Sequence, residues 1–346
     1  NMKKALSVIL VITLILSCNT GNKNNKIESI NLENSILVKP EIIKSDKLFS
    51  VIWNIKIHDS ILVLMSPDGK GFVQLLNKNS GKFISTKCIE GRGPGEFSDF
   101  VELSVFADSI FIYDSSKNSI SVYKSDAFLN DSLPQPPVNI IFEKQKINFD
   151  IFPLNKYYVS RPGVDSRFFL FDRNGKFISD YSLFPDFYKD VKSDNHKQEL
   201  FQCFIAEPKP DLSKFASISY LGGVLEIFSI ENDTIKQILE KKFLDPELKI
   251  ESEDDWLTQE DTKIGFHGLF TTDNYIYSSF SGLTSMEFRK IKQMEYIVVF
   301  DWEGNIKRVY KVEGGLKALA ADEAEGKIYV VTKDSEGVDA VGVIKM

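Results

Sequence analysis

An all-β fold, a six-bladed β-propeller of four-stranded antiparallel blades, is predicted by three features of this 346-residue chain: period-2 hydrophobic runs, a sixfold recurrence of strand and turn, and a spare N-terminal strand that can close a ring. Phe, Trp and Tyr make up 12% of the residues, and such side chains mixed with Ile and Val suit pleated, half-buried surfaces. The first turn of each unit falls at Asp59, Asp108, Asn155, Ser213, Asp273 and Glu325, at spacings of 47 to 60 residues. Blades of about 40–50 residues with loop insertions give such a period. A β-sandwich with extra hairpins is the competing architecture, and sandwiches seldom repeat at this length.

The units follow in order. Unit one has strand patterns at 55–58, 61–64, 72–76 and 83–89, and unit two at 110–113 and 119–123. Unit three has 157–159, 168–171 and 176–179, with an Asp172-Arg173-Asn174-Gly175 turn. Unit four, less regular, has 215–220, 224–230 and 234–239; unit five has 275–279, 296–300 and 305–311 around Asp301-Trp302-Glu303-Gly304. Unit six has 328–331 and 340–344, then runs out of chain one strand short. Residues 35–43 form an unassigned strand pattern before unit one, so ring closure by that segment is expected, which removes the exposed edges of an open sheet.

The N-terminus reads as a targeting segment. Met2-Lys3-Lys4 precedes a twelve-residue apolar run, 5–16, too short for a bilayer that needs about 20 residues. Ile15-Leu16-Ser17-Cys18 has the form of a lipobox, which makes residues 1–17 a lipoprotein signal peptide and Cys18 the lipidated residue. An ordinary cleaved signal with a chance cysteine is the alternative. The Asn/Gly/Lys-rich start of 18–34 reads as a flexible tether, and 35–346 as the propeller domain. Removing the leader with Lys3 and Lys4 takes the net charge from −7 to −9 and leaves no basic stripe, so nucleic acid is not expected as a partner. Cys88 and Cys203 then remain, far apart in the chain and read as buried free thiols, with a disulfide between them as the alternative.

Gly91-Arg92-Gly93-Pro94-Gly95-Glu96-Phe97 joins units one and two, and its glycines and proline exclude a helix. With the lipobox and the repeats, this connector resembles those of six-bladed β-propeller lipoproteins of Bacteroidetes, the TolB-like group; the Asp-x-x-Gly turns are shared with NHL-type propellers. The resemblance covers roughly 36–346. It implies the fold and a cell-envelope location, on the periplasmic face of the outer membrane, since no acidic export-like run follows Cys18. Membrane contact is expected through the lipid, with an envelope protein, peptide or glycan as partner.

Three groups of residues are candidates for function. Arg92 and Glu96 on the connector, with Arg161 and Arg167, could line an anion-binding mouth, because guanidinium forks suit carboxylate and phosphate. The competing role for Arg92 and Glu96 is a structural ion pair bracing two blades. Polar residues five to eight positions before each first turn, Asn54, Glu102, Asn148, His267 and Lys317, with Gln202 in unit four, could ring the channel. Of these Glu102, Asn148 and His267 are the candidate ligands for Ca²⁺ or another divalent cation, an arrangement similar to gluconolactonase-type propellers, which defines a metal-dependent hydrolase as the alternative function. An ordinary hydrated polar lining, with no cofactor, is the simpler expectation. Trp256 in an acidic insertion could stack on a sugar or a cation. No Gly-x-Ser-x-Gly elbow, His-Glu-x-x-His pair, P-loop or paired-cysteine zinc motif occurs, so non-catalytic binding is the leading expectation.

Overall fold

The computed structural model describes residues 27–93, 95–98, 101–106, 108–130, 138–143, 148–162, 166–185, 191, 193–202, 205–248 and 259–346. Among these the strands form six sheets, each a blade running antiparallel from its inner to its outer strand. Blade one is Asn54–His58, Ile61–Met65, Gly71–Asn77 and Phe83–Ile89; blade two is Val101–Phe106, Ser109–Asp114, Ser119–Lys124 and Val138–Ile141. Blade three is Asn148–Leu154, Tyr157–Pro162, Phe168–Asp172 and Phe177–Tyr181; blade four is Ile205–Pro208, Lys214–Ile218, Val224–Glu231 and Thr234–Lys242. Blade five is Phe266–Thr271, Tyr275–Phe280, Met294–Asp301 and Ile306–Leu316; blade six is Ala318–Asp322, Lys327–Lys333, Asp339–Lys345 and the N-terminal Glu41–Ile42. The six inner strands stand side by side around one axis.

The core lies between blades. Strand Ile61–Met65 is an unbroken apolar run because both its faces are covered: Leu62 and Leu64 pack toward blade six, Val63 and Met65 toward blade two. Blades two and three meet through rings, with Phe142 and Phe171 centroids 4.9 Å apart and Phe142 edge-on to Tyr158 at 5.7 Å. Turn chemistry sets the hairpins. Asp172 Oδ1 accepts from Asn174 N at 2.8 Å and Lys176 N at 2.9 Å, Asp301 Oδ1 does the same for Glu303 and Asn305, and Gly175 and Gly304 take the left-handed position that follows.

Ring closure occurs as the sequence predicts, with a division the sequence does not show. The 35–43 pattern splits at Pro40, which has no N–H to continue a ladder. Ile36–Val38 adds parallel to the outer strand of blade five, and Glu41–Ile42 pairs antiparallel with Asp339–Lys345 of blade six. One segment thus staples two blades. The folded body also begins earlier than residue 35: Ile27 bridges to Lys242, Glu28 N donates to Lys242 O at 2.8 Å, and Ile30 and Leu32 pack into the core between blades four and five.

The seam between blades six and one is fixed by Asp339, whose carboxylate is fully buried. It accepts Ile52 N at 2.9 Å, Lys317 Nζ at 2.6 Å and Lys333 Nζ at 2.7 Å. Burial pushes its pKa up, and these donors outweigh that and hold it below the usual carboxylate value. Short helices at Ser125–Asn130, Asp194–Gln202 and Ser285–Ile291 interrupt the blades. A capping box starts the last of these, Thr284 Oγ1 accepting Glu287 N while Glu287 accepts Thr284 N.

Gly342 tests the closure. A Cβ there would lie 2.6 Å from Pro40 Cβ, so Gly342→Val is expected to lower stability by about 1–3 kcal/mol through overpacking. Chemical denaturation of variant and parent with unchanged midpoints would disprove this account of the staple.

Candidate ligand-binding mouth

Each inner strand starts on one face of the ring, so the residues at those starts converge around the axis. Asn54, Glu102, His267 and Lys317 line one cavity of about 370 Å³, together with Arg161 and Ser104. The alignment of polar residues before the first turns therefore identifies real neighbours. Asn148 begins the inner strand of blade three and Gln202 ends a helix, but their side chains lie outside the described residues, as do Trp256 and Cys18 altogether.

The sequence reading misses three residues that define this cavity. Trp53 stands at its rim with 47% of its surface exposed, its backbone N–H donating to Met65 O at 2.8 Å. Lys56 of blade one and Glu207 of blade four, opposite blades of the ring, form a buried ion pair across the axis, at 5% and 9% exposure. Glu207 lines both the mouth and a second cavity of about 670 Å³ on the lower face. The pair is therefore a waist, and the mouth is a cup. Lys56 between Ile55 and Ile57 is the available sequence signal, yet its partner lies 151 residues away.

Electrostatics inside the cup are mixed. Lys317 arrives already paired to Asp339 at 2.6 Å, a carboxylate it shares with Lys333. His267 opens to the cavity beside Tyr220, with ring centroids 5.9 Å apart, and desolvation by the surrounding protein lowers its pKa below 6.5. The shift favours the neutral imidazole. Among the described residues no three or more His, Cys, Asp or Glu side chains group to hold a metal, and of the candidate ligand set only Glu102 and His267 are seen sharing the cavity.

The arginines separate. Arg161 is buried and reaches the cup. Arg167 does not, which corrects its expected place at an anion-binding mouth: it is 1% exposed between blades three and four, where its fork grips Glu226 in a bidentate pair and donates to Leu183 O at 2.9 Å. Arg92 is exposed on the connector. Glu96 makes no brace to Arg92 among the described residues; its carboxylate turns back to accept Gly93 N at 2.7 Å, and a Cβ on Gly91 would lie 2.0 Å from Glu96 Oε2. Gly91 thus leaves room for the Glu96 carboxylate in this position, while Gly95, at φ +78°, is needed for its backbone angle. Cys88 is buried and free, with burial pushing its thiol pKa up; Cys203 lies outside the described residues.

Removing Arg167 leaves Glu226 as an uncompensated buried charge, so Arg167→Ala is expected to cost about 3–5 kcal/mol, with Arg167→Met/Glu226→Leu losing clearly less. Equal losses in a denaturation series would refute the pairing. For His267, the folded pKa lies below the unfolded value, so the unfolded state takes up more protons and stability falls as pH drops below about 6.5. Comparing the melting temperature of His267→Asn with that of the parent from pH 7.5 to 5 should show a shallower acid slope for the variant; parallel slopes would contradict the shift.

No curated protein matches the sequence. Among solved structures, a Bacteroides fragilis protein inferred to be exported is similar at TM-score 0.57 and 12% identity, over 92% of this chain and 97% of that one. The Cps50 β-propeller domain of Myceliophteria thermophila is similar at TM-score 0.52 and 8% identity, over 89% of this chain and 99% of that one. At such identities these likenesses speak for the fold alone. A family model described as TolB-like 6-blade propeller-like matches residues 32–324, and with six blades in a closed ring the chain belongs to that family.

Proposed function

We propose that this protein is a non-catalytic, lipid-anchored binding module of the cell envelope that takes a protruding group of its partner into the mouth cup. The observation carrying this reading is the waist: Lys56 and Glu207 close the axis below the lining of Asn54, Glu102, Arg161 and His267, which suits an end or side branch better than a threaded chain. Large exposed apolar residues on the same face, Leu48, Trp53, Leu183 and Met286 among them, give a partner surface to seat on.

The site of chain entry sets how an anchored domain would be oriented. Ile27 sits beside Lys242, where the outer strand of blade four reaches the mouth face. If Cys18 carries the lipid, the nine-residue step to Ile27 spans at most roughly 30 Å, which keeps that face near a membrane.

A photo-crosslinking residue in place of Leu183, on the mouth face, should capture a discrete envelope component in intact cells, whereas the same residue in place of Ile238, on an outer strand, should not. Capture from both or from neither would overturn the proposal.

A further inference from the structure

The chemistry of the cup narrows the ligand, given the reading of the cup as a binding site. We propose that it receives the non-reducing end of a neutral saccharide. Charge comes first: in the lining of the cup the carboxylates of Glu102 and Glu207 are matched by the cations of Arg161 and Lys317, and Lys56 pairs with Glu207 at the floor. Glu102 and Arg161, of opposite sign, line the same small space. No single sign of charge prevails, so neither an anion nor a cation is selected.

Shape and hydrogen-bond capacity come second. Asn54, Glu102, Arg161 and His267 line the cup with planar polar groups of the kind that bind vicinal hydroxyls, and with Asn54 Oδ1 accepting Ile55 N at 2.8 Å the Asn54 amide keeps its donor end for a ligand. Ser104 adds a hydroxyl that can donate or accept. Trp53 at the rim supplies an indole face for the C–H face of a pyranose ring. A cavity of about 370 Å³ falls at the lower end of small-ligand sites, room for a sugar terminus and not for a folded epitope.

Trp53 makes the test. Trp302 is buried, with Nε1 donating to Thr272 O at 3.0 Å, so a change at the mouth is readable against it. Full-length protein is screened on arrays of neutral-terminated oligosaccharides, sialylated or sulfated oligosaccharides, and peptides, and hits are titrated by isothermal calorimetry for parent and variants, with tryptophan fluorescence recorded for the parent. The expected result is retention on neutral termini with a fluorescence change, a loss of about tenfold or more in affinity for Trp53→Ala, and near-parental binding for Trp53→Phe and Ile238→Ser, all with parental melting temperatures. Binding confined to acidic glycans or peptides, still lost in Trp53→Ala, overturns the saccharide class and leaves the cup as the binding site. Neutral glycan binding unchanged in Trp53→Ala places recognition elsewhere and overturns the inference. No retained probe, together with no mouth-face crosslink in cells, overturns both.

Discussion

The structure depends on closing a ring whose sixth blade takes its outer strand from the N-terminal segment. Each blade buries both faces against its neighbours, so a single unsealed seam would expose two apolar sheets and an edge. Glu41–Ile42 supplies the missing outer strand, and Asp339 ties blade six to the backbone of Ile52 just ahead of blade one. Burying a carboxylate is costly unless its lone pairs are filled, and here two lysines and an N–H fill them. Closure therefore combines a strand pairing that any sequence could make with a charge arrangement that only this seam carries. Lys78 reinforces it on the lower face, with Asp322 at 2.7 Å and Glu325 at 2.8 Å.

The other seams use different means for the same end. Blades two and three rely on interlocking rings, and blades three and four add the Arg167–Glu226 fork to Phe152, Phe168, Phe215 and Phe228. Unequal seams have a use in a repeat fold. Identical interfaces would let a blade exchange with its neighbour, whereas a buried charge accepts only its own partner. The residues that looked most like ligands in the sequence, arginines near blade ends, divide accordingly between holding the ring and lining the cup.

The fold was legible because propeller blades are local. Hairpin turns at Asp172 and Asp301 follow from a few adjacent residues, and apolar runs such as 61–65 record coverage on both faces. The site was half legible. Positions counted back from each turn found Asn54, Glu102, His267 and Lys317 because every blade places the same strand at the axis. Lys56 and Glu207 escaped, since only the ring closure brings opposite blades together. Arg167 was misplaced for a similar reason: nothing local distinguishes a guanidinium that faces water from one that faces Glu226 on the next blade. The glycines of the first connector were read as turn formers, and the structure adds that Gly91 makes room for a carboxylate that caps the loop.

The waist also constrains what the cup can hold. Lys56 and Glu207 are nearly dehydrated, and their attraction must offset the cost of removing both charges from water. A cationic ligand reaching the floor would compete with Lys56 for Glu207, while an anionic one would meet the Glu207 carboxylate at short range in a medium that screens weakly. Either charge would act on a contact that joins opposite sides of the ring. An uncharged, hydroxyl-rich ligand disturbs that contact least, because it brings no charge to compete with either partner. The same ion pair that makes the channel a cup thus favours a neutral occupant.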